Sequence, residues 1–281
     1  MKILIFGNGY VGRRCHEAWP GSILSEKRID SKESALEELR RFQPDVVLNA
    51  AGIKGKPNVD WCEDHPLETM RGNVLMPLHL AEACIDMNIH LLHIGSGCIF
   101  YGDSPHVDKA WRENDFGNPS AVYSRSKWAA DLVLSTLPNT AIARIRMPLD
   151  WMPNPGNLID KLASYSKVID VENSVTVVDD MVHVFYELLE KRATGIFHVT
   201  NPGTIKHREI LRLYKDIVNS SHTCEWIEND ALVAQGLATK GRSNNKLFSE
   251  RLSEFGISMR PVEEALLDTM HKYADLKKTI K

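Results

Sequence analysis

A tyrosine and a lysine four residues apart, Tyr123 and Lys127, begin a stretch with the pattern of a helix, and Ser96 and Cys98 end an apolar run upstream. Residues at this spacing share one face of a helix, so the lysine ammonium would lie close to the phenol. A nearby positive charge favours the phenolate and lowers a tyrosine pKa that is ordinarily about 10. The pair would then exchange a proton near neutral pH, which carbonyl reduction requires. Reduction needs no thiol, so Cys98 is the less expected residue.

The elements that must position these residues follow an alternating pattern through the first half of the chain. The apolar runs predicted as buried strands are residues 2–6, 45–50, 90–94 and 140–144, and the predicted helices are residues 11–19, 32–42, 66–87 and 121–134. Such alternation predicts an α/β fold with a doubly wound parallel Rossmann sheet, covered by helices on both faces. Ligands bind such sheets beyond the carboxyl ends of the strands, where Ser96 would lie.

The pattern loosens after residue 147, where Pro148, Pro153 and Pro155 mark a long connection. Helices are predicted over residues 182–191, 208–218 and 261–277, and one more strand over residues 195–199. We therefore predict a dinucleotide-binding domain over residues 1–150, to which the chain returns at about 175–200. Residues 151–281 are predicted to form mainly a smaller, mixed substrate-binding lobe.

Composition excludes several classes of protein. With 281 residues, a net charge of −3 and no polybasic block, the chain is not expected to bind nucleic acid or an anionic membrane. It has no apolar run of about 20 residues and no signal-peptide pattern at its start. Its five cysteines lack CxxC spacing and its histidines lack metal-ligand spacing, so neither disulfides nor a metal site is predicted. A reducing cytoplasm is the predicted location.

A glycine-rich turn, Gly7-Asn8-Gly9-Tyr10-Val11-Gly12, joins the first predicted strand to the first predicted helix. It fits the GxGxxG pattern in the context that a dinucleotide site requires. Gly7, Gly9 and Gly12 would allow a tight turn and a close approach to a pyrophosphate, next to Tyr10 and Val11 at the helix N-terminus. A purely structural turn is the alternative.

The end of the second predicted strand, at residues 24–28, favours NADPH as the cofactor. Dinucleotide sites often carry an acidic residue here, which holds the ribose hydroxyls of NADH. The candidate basic side chains around this position are Arg13, Arg14, Lys27 and Arg28. Guanidinium and ammonium groups suit a 2′-phosphate. Glu26 leaves NADH possible, and a solvated charged face is the structural alternative.

The order of these motifs resembles the extended branch of the short-chain dehydrogenase/reductase superfamily. The resemblance implies that Tyr123 protonates a substrate carbonyl, that Lys127 holds the cofactor ribose and lowers the tyrosine pKa, and that Ser96 hydrogen-bonds the substrate oxygen. It further implies cofactor contacts from Asn49, Ala50, Ala51, Gly52 and Met147. Asn73 matches a position that supports the site.

Longer stretches carry a more specific resemblance, at residues 49–63, 97–100, 146–148, 154–161, 200–203 and 242–245. They are similar to the family of bifunctional 3,5-epimerase/4-reductases that convert UDP-4-keto-6-deoxyglucose to UDP-L-rhamnose, to which dTDP-4-dehydrorhamnose reductase is more distantly related. The resemblance implies that Cys98 and Lys161 are the epimerising base and acid. The implied substrate-binding residues are Asn58, Trp61, Asn73, Ser96, Asn157, Arg242, Asn244 and Asn245. It also implies a separate 4,6-dehydratase upstream and a homodimer.

The two activities are chemically compatible. A carbonyl at C4 acidifies the hydrogens on C3 and C5, and inversion needs one group to remove a proton and another to return one to the opposite face. Epimerisation must come first, because reduction removes the activating carbonyl. Two alternatives stay open: a dTDP-4-dehydrorhamnose reductase without epimerase activity, in which Cys98 is a small buried side chain and Lys161 a solvated one, and a non-catalytic NADP-binding regulatory subunit.

Overall fold

The computed structural model describes residues 1–56 and 58–279 of the chain. The strands are β1 (Ile3–Phe6), β2 (Ile23–Ser25), β3 (Val46–Asn49), β4 (His90–Ser96), β5 (Ala110–Trp111), β6 (Thr140–Ile145), β7 (Pro148–Leu149), β8 (Lys167–Ile169), β9 (Glu172–Asn173), β10 (Thr176–Val177), β11 (Gly195–Val199), β12 (Ile205–Lys206), β13 (Glu225–Ile227) and β14 (Lys246–Leu247). The helices are α1 (Tyr10–Ala18), α2 (Lys32–Phe42), α3 (Trp61–Asp64), α4 (Pro66–Met70), α5 (Met76–Asp86), α6 (Val122–Leu134), α7 (Leu158–Ser164), α8 (Val178–Glu190), α9 (His207–Ile217), α10 (Ala231–Ala234), α11 (Arg251–Glu254) and α12 (Val262–Thr279).

A six-stranded parallel sheet with the order β2-β1-β3-β4-β6-β11 forms the centre of the molecule. The chain runs from β1 outward to β2 and then crosses to β3 on the other side of β1. A crevice therefore opens between the carboxyl ends of β1 and β3, where such sheets bind ligands. In the register of β4 and β6, Ser96 lies opposite Ile145, so the residues that follow both strands meet at this same edge.

An apolar layer packs on each face of the sheet, so the strands are buried on both sides. Helices α1 and α8 pack on one face, where Met181 and Phe185 are fully buried. Helices α2, α5 and α6 pack on the other, where Leu39 and Leu80 are fully buried. The α/β fold and the doubly wound parallel sheet predicted from the alternating pattern are confirmed.

A third apolar core lies under α7, α9 and α12 and includes Ile159, Leu211, Leu266 and Tyr273. Short strand pairs, β7 with β10, β8 with β13 and β9 with β12, connect the helices of this smaller lobe. Near the end of the chain, Leu252, Ile257 and Met259 pack on the core of the main sheet instead. The domain boundary at residue 150 stays a prediction.

The largest departure from the predicted elements is in residues 66–87, which were expected to form one helix. Helices α4 and α5 are instead joined by a wide π-helical turn, Arg71–Leu75. Pro77 explains the departure, because proline has no N–H to donate one turn back and its ring crowds that turn. The predicted helix at 182–191 begins earlier, at Val178, with Asp179 and Asp180 in its first turn. Helix α7 and the short strand pairs were not predicted.

No helix within residues 1–56 and 58–279 is both long enough and apolar enough to cross a membrane. The same part of the chain holds no group of three or more His, Cys, Asp or Glu side chains arranged to bind a metal ion.

Candidate active site

The glycine turn forms one wall of the crevice. Gly7 has a φ of +107°, which favours glycine, and a Cβ there would lie 2.4 Å from the backbone nitrogen of Ala51. A Cβ on Gly12 would lie 2.0 Å from the Gly7 carbonyl oxygen. At Gly9, directly before α1, nothing lies within 4 Å of the position of a Cβ. The turn is therefore closed towards the protein and open in front of the α1 N-terminus, as a pyrophosphate would require.

The side chains of Tyr10 and Arg14 both contact Asp150, and the predicted cofactor contact of Tyr10 stays a prediction. The Tyr10 hydroxyl donates to Oδ2 of Asp150 at 3.1 Å, and the buried Arg14 donates to the same oxygen at 2.7 Å. Arg14 also pairs with Asp179 at 3.2 Å, so the hypothesis that it meets a 2′-phosphate is wrong. Val11 packs on the core of the main sheet.

Basic side chains do surround the end of β2. Arg13, Lys27 and Arg28 are all exposed there. Arg13 donates to the Asn8 side chain at 2.7 Å, and Lys27 pairs with Glu37 on α2. Because these partners are themselves exposed, water and an incoming phosphate can compete for the cations.

The segment after β3 is held from beneath by two asparagines. Asn49 is fully buried, where its Nδ2 donates to His93 at 3.0 Å and its Oδ1 accepts from the Ala51 N–H at 3.1 Å. Asn73, in the π-helical turn, exchanges hydrogen bonds of 2.7 and 2.8 Å with the backbone of Ile53. Asn73 also donates to Ser126 at 2.9 Å. The prediction that Asn73 contacts substrate is corrected, because its amide is buried and hydrogen-bonded to Ile53 and Ser126. Both asparagines instead hold the segment after β3 in place.

Tyr123, Lys127 and Ser96 converge at the carboxyl end of β4. The Lys127 Nζ donates to the Ile94 carbonyl at 2.9 Å and lies 3.6 Å from the position of a Cβ on Gly52. Burial, and next the nearby Cys98 thiolate, raise the pKa of Tyr123, and the Ser96 hydroxyl partly offsets this. The expectation that Lys127 lowers the Tyr123 pKa is therefore not met in this structure, because burial dominates.

Cys98 lies in the same cluster. The Ser96 hydroxyl donates to the Cys98 sulfur at 3.0 Å, and the Cys98 N–H donates back to Ser96 Oγ at 3.3 Å. The thiol is half-buried, whereas Cys15, Cys62 and Cys84 are buried, Cys15 and Cys84 of them in the apolar cores on the two faces of the sheet. A short 3₁₀ turn, Gly97–Ile99, makes this arrangement, since it turns the chain back at the end of β4. The thiol therefore directly contacts the hydroxyl expected to meet the substrate oxygen.

Lys161 lies on α7 and is half-buried. Burial, and then the positive charge of Lys54, lower the pKa of Lys161 to about 8. Lys54 follows the Gly52–Ile53 segment that Asn73 holds, so Lys161 approaches the crevice from the smaller lobe. An amine with this pKa can both donate and accept a proton near neutral pH.

Two of the predicted substrate contacts are structural instead. Asn157 is fully buried: its Oδ1 accepts from the N–H groups of Ile159 and Asp150, both at 3.1 Å, and its Nδ2 donates to the Asp150 carbonyl. It caps α7 and so positions Lys161. Asn245 is also buried, and its Nδ2 donates to the carbonyls of Gly97 and Phe100 at 3.0 and 2.7 Å. The substrate-contact predictions for both are corrected, because their amides face the protein.

The loop after β3 and the segment near residue 242 meet across the crevice. Arg242 forms a bidentate pair with Asp60 at 2.8 and 2.9 Å, and its contact with a diphosphate stays a prediction. Asn58 accepts from the Asp60 N–H at 2.8 Å, and Trp61 stacks on His65 at 3.8 Å between ring centroids. Asn58, Trp61 and Asn244 are half-exposed and stay candidates for substrate contact. Met147, with a φ of +43°, is half-exposed at the end of β6 and stays a candidate cofactor contact.

Three residues that sequence reasoning left unassigned belong to the site. Glu63 accepts from the Val122 N–H at 2.8 Å and so caps α6, the helix that carries Tyr123. Lys54 acts on Lys161, and Arg146 lies beside Cys98. All three stand inside stretches that carried the family resemblance, which was the available signal. Their roles depend on residues far away in the chain, which no local pattern indicates.

Comparison with known proteins gives similarities along nearly the whole chain. The profile of the family described as RmlD substrate binding domain matches residues 1–274. A bifunctional dTDP-4-dehydrorhamnose 3,5-epimerase/dTDP-4-dehydrorhamnose reductase of Arabidopsis thaliana is 34% identical over 277 residues, which cover 95% of this chain and 91% of that protein.

A trifunctional UDP-glucose 4,6-dehydratase/UDP-4-keto-6-deoxy-D-glucose 3,5-epimerase/UDP-4-keto-L-rhamnose-reductase of the same plant is 31% identical over 289 residues. That match covers 99% of this chain but 43% of the trifunctional protein, so the chain spans less than half of it. The crystal structure of a UDP-rhamnose synthase from Acanthamoeba polyphaga mimivirus is 30% identical, with a TM-score of 0.90 over 97% of this chain and 99% of that one. The similarity thus extends over both the main sheet and the smaller lobe.

Proposed function

This chain belongs to the RmlD family of short-chain dehydrogenases/reductases, and from that membership we propose that it is an NADPH-dependent nucleotide-sugar 3,5-epimerase/4-keto-reductase. Its proposed reaction converts UDP-4-keto-6-deoxy-D-glucose to UDP-L-rhamnose. The observation that carries the proposal is the 3.0 Å contact between the Ser96 hydroxyl and the Cys98 sulfur, beside Tyr123. A thiol in the middle of a carbonyl-reducing cluster is where a base for the neighbouring carbon atoms would have to lie.

The residues of the crevice fit NADPH. The open space in front of Gly9 and the α1 N-terminus would receive the pyrophosphate, and Arg13, Lys27 and Arg28 would receive a 2′-phosphate. Lys127 would bind the nicotinamide ribose, next to Gly52. When bound, the cofactor supplies the hydride for reduction at C4.

Tyr123 is the proposed acid of the reduction step. Burial keeps the phenol protonated because it raises the Tyr123 pKa, so the hydroxyl can donate to the developing oxyanion. The Ser96 hydroxyl lies at the same place and can donate to the same oxygen. The two hydroxyls would hold the C4 carbonyl in one pose for both reactions.

Cys98 and Lys161 are the proposed proton-transfer pair of epimerisation. With a pKa of about 8, Lys161 is mostly an ammonium at neutral pH and can return a proton to the substrate. The Cys98 thiolate raises the pKa of Tyr123, so the phenol holds its proton more firmly while Cys98 is ionised. This coupling favours the order that the chemistry demands, with proton abstraction before protonation of the C4 oxygen.

Hydrogen exchange tests the epimerase half of the proposal. Incubation with UDP-4-keto-6-deoxyglucose in deuterated water, without NADPH, should introduce deuterium at C3 and C5, which NMR detects. Cys98→Ala should abolish this exchange and still reduce a pre-epimerised substrate, which controls for folding. If wild-type protein introduces no deuterium but oxidises NADPH with pre-epimerised substrate, the protein is a reductase alone and the epimerase claim fails.

NADPH oxidation tests the reductase half. Addition of the 4-keto sugar, offered as both the UDP and the dTDP form, should oxidise NADPH in stoichiometric amounts. A complete absence of turnover with either nucleotide, despite NADPH binding, would revive the regulatory-subunit alternative. The intact cluster of Ser96, Tyr123 and Lys127 supports the enzyme instead.

The proposal includes a separate 4,6-dehydratase that supplies the 4-keto sugar, and a reducing, cytoplasmic location, which the five free cysteines support.

The proposal also includes a homodimer. Apolar side chains that are 40–47% exposed, Leu75, Ile85, Leu132 and Val133, lie on or next to α5 and α6, which offers a surface for pairing. Light scattering should give twice the mass of the 31.7 kDa chain, and the mass of one chain would exclude the dimer.

A further inference from the structure

Arg146 lies directly behind the Cys98 turn. It follows β6, whose last residue, Ile145, lies opposite Ser96 in the sheet register. A Cβ on Gly97 would lie 3.4 Å from Cδ of Arg146, so the aliphatic part of the arginine packs against the backbone that carries Cys98. The Arg146 residue is only 7% exposed.

The hydrogen-bond partners of this buried guanidinium are uncharged. One of its nitrogens, Nη2, donates to Oδ1 of Asn173 at 2.7 Å and to the Ser243 carbonyl. Its Nε is buried and has no acceptor in the described part of the chain. Among the described residues, the ionisable groups that interact electrostatically with Arg146 are the Cys98 thiol, the Tyr101 phenol and the His207 imidazole on α9, and none of them is a carboxylate.

Arg144, two residues earlier, shows the ordinary solution for a buried arginine. Its Nε donates to Asp131 at 2.8 Å, and both side chains are fully buried. A buried charge without such a partner is expensive, so proteins rarely keep one without a use for it. Burial does lower the pKa of Arg146, which reflects this cost. The missing anion at Arg146 is the feature that needs a physical explanation.

We propose that Arg146 is a positioning residue that stabilises the Cys98 thiolate, so that the anion which balances this buried cation forms on the thiol during catalysis. The inference rests on the proposed epimerase role of Cys98. The thiol transfers its own proton to water, the thiolate then takes a proton from the substrate, and no further reactant is needed. The other ionisable groups that face Cys98 are Tyr123 and Lys127 on α6. Tyr123 is neutral, and Lys127 donates to the Ile94 carbonyl and lies towards Gly52, whereas the buried Nε of Arg146 has no acceptor among the described residues.

The test measures the thiolate by alkylation rather than by turnover. Iodoacetamide labelling of wild-type protein, followed over pH 6–10 by mass spectrometry of the Cys98 peptide, reports the ionised fraction, because the thiolate is the nucleophile. Arg146→Met should slow Cys98 labelling about tenfold at pH 7.5 and move its profile about one pH unit upward. Arg146→Lys, which keeps the charge, should restore most of the rate. Cys224, half-exposed in the smaller lobe, should label equally in all variants and serves as the internal reference.

Asn173→Ala is the matched structural control, since it removes one anchor of Arg146 and keeps the cation. It should leave the Cys98 labelling profile in place. If Asn173→Ala moves the profile as far as Arg146→Met does, packing and not charge is responsible, and the inference falls. An unchanged profile in a folded Arg146→Met protein overturns it as well.

The Arg146→Met variant is expected to fold. Methionine fills a similar buried volume and removes an unbalanced charge, and such replacements are often neutral for stability. If Arg146→Met does not fold, the Arg146→Gln protein gives the same comparison with a polar side chain that can keep the Asn173 contact.

The role of Arg146 and the proposed epimerase activity can fail independently of each other in these experiments. A shifted labelling profile together with no deuterium exchange in wild-type protein would keep the role of Arg146 and end the epimerase proposal. Deuterium exchange in wild-type protein, together with an unshifted Cys98 labelling profile in Arg146→Met, would keep the epimerase proposal and end the role of Arg146. Relative to wild-type protein at the same pH, deuterium exchange in Arg146→Met should be about tenfold slower at pH 7.5 and approach the wild-type rate at higher pH, whereas a merely structural role would slow it equally at every pH.

Discussion

Lys161 is expected to set the upper pH limit of epimerisation, and Lys54 is expected to tune that limit. If Lys161 returns the proton, exchange requires its ammonium form. That form predominates below the Lys161 pKa of about 8 and is lost as the pH rises through this value. One pH unit above the pKa, only about a tenth of the molecules carry the ammonium. Deuterium exchange should therefore decline with a midpoint near pH 8.

The magnitude of the Lys54 effect follows from the two causes of the lowered pKa. Burial is the larger cause and the charge of Lys54 the smaller one. Lys54 is exposed, although partial burial lowers its own pKa, so water screens only part of its repulsion of Lys161. Two like charges about 8 Å apart in water repel by about 0.5 kcal/mol, which corresponds to about 0.4 pH units. Lys54→Met should move the midpoint upward by about that amount and leave the contribution of burial in place.

The assay is deuterium incorporation at C3 and C5, followed by NMR between pH 6.5 and 10 without NADPH. Lys56→Met is the matched control, because it removes the same charge two residues later in an exposed stretch. Among the described residues, Lys54 and not Lys56 is the charge that acts on Lys161. Lys56→Met should therefore leave the midpoint unchanged.

Three results would refute this reasoning. Equal shifts in Lys54→Met and Lys56→Met would mean that general charge, and not the local repulsion, is responsible. Unimpaired exchange in Lys161→Met would remove Lys161 from the reaction. A profile that rises through pH 8 instead of falling would make Lys161 the base, opposite to the role proposed.

The remaining predictions concern the reductase cluster, the glycine turn and the core. Tyr123→Phe should lower kcat for NADPH oxidation by about 10²–10⁴-fold, since the general acid is lost, while the thermal midpoint persists; unchanged kcat would contradict the assignment. Gly12→Ala should abolish NADPH binding in a fluorescence titration and lower the unfolding temperature, because the added Cβ would lie 2.0 Å from the Gly7 carbonyl oxygen. Gly9→Ala, where the position of a Cβ is open, should keep the wild-type unfolding temperature, and equal unfolding temperatures for the two variants would contradict this steric argument. Asp131→Asn should lower the free energy of unfolding by about 3–5 kcal/mol in a denaturant titration, because Arg144 is left buried and unbalanced; a loss below about 1 kcal/mol would contradict that.

Much of the fold was predictable because its signals are local. Buried parallel strands are continuous apolar runs, and the helices between them are amphipathic, so alternation along the chain revealed the sheet and its two covering layers. The interruption of the helix at 66–87 was less visible, although Pro77 was a signal for it. Helix α7 and the two-residue strands were not predicted, since they are too short for a periodic pattern of apolar residues to be recognised.

The candidate site was predictable only in part. Tyr123 and Lys127 are on one helical turn, and Ser96 and Cys98 are two residues apart, so their grouping is encoded in short spacings. For the asparagines the residue type was misleading, because an amide serves equally well to bind a ligand or to fasten a loop. Burial distinguishes the two uses: the amides of Asn73, Asn157 and Asn245 face the protein.

The sequence by itself determined which chemistry is present: a proton-donating tyrosine with its lysine, a thiol beside the reductive serine, and a glycine turn ahead of a helix. These depend on neighbours in the chain, whose geometry a turn or a helix imposes. Only the tertiary structure decided how the charges are distributed, because that depends on which distant segments meet. Arg242 is paired with Asp60, 182 positions away, whereas Arg146 is buried beside Cys98 without a carboxylate. Coulomb energy and desolvation depend on distance and burial in space, and neither can be read along a chain.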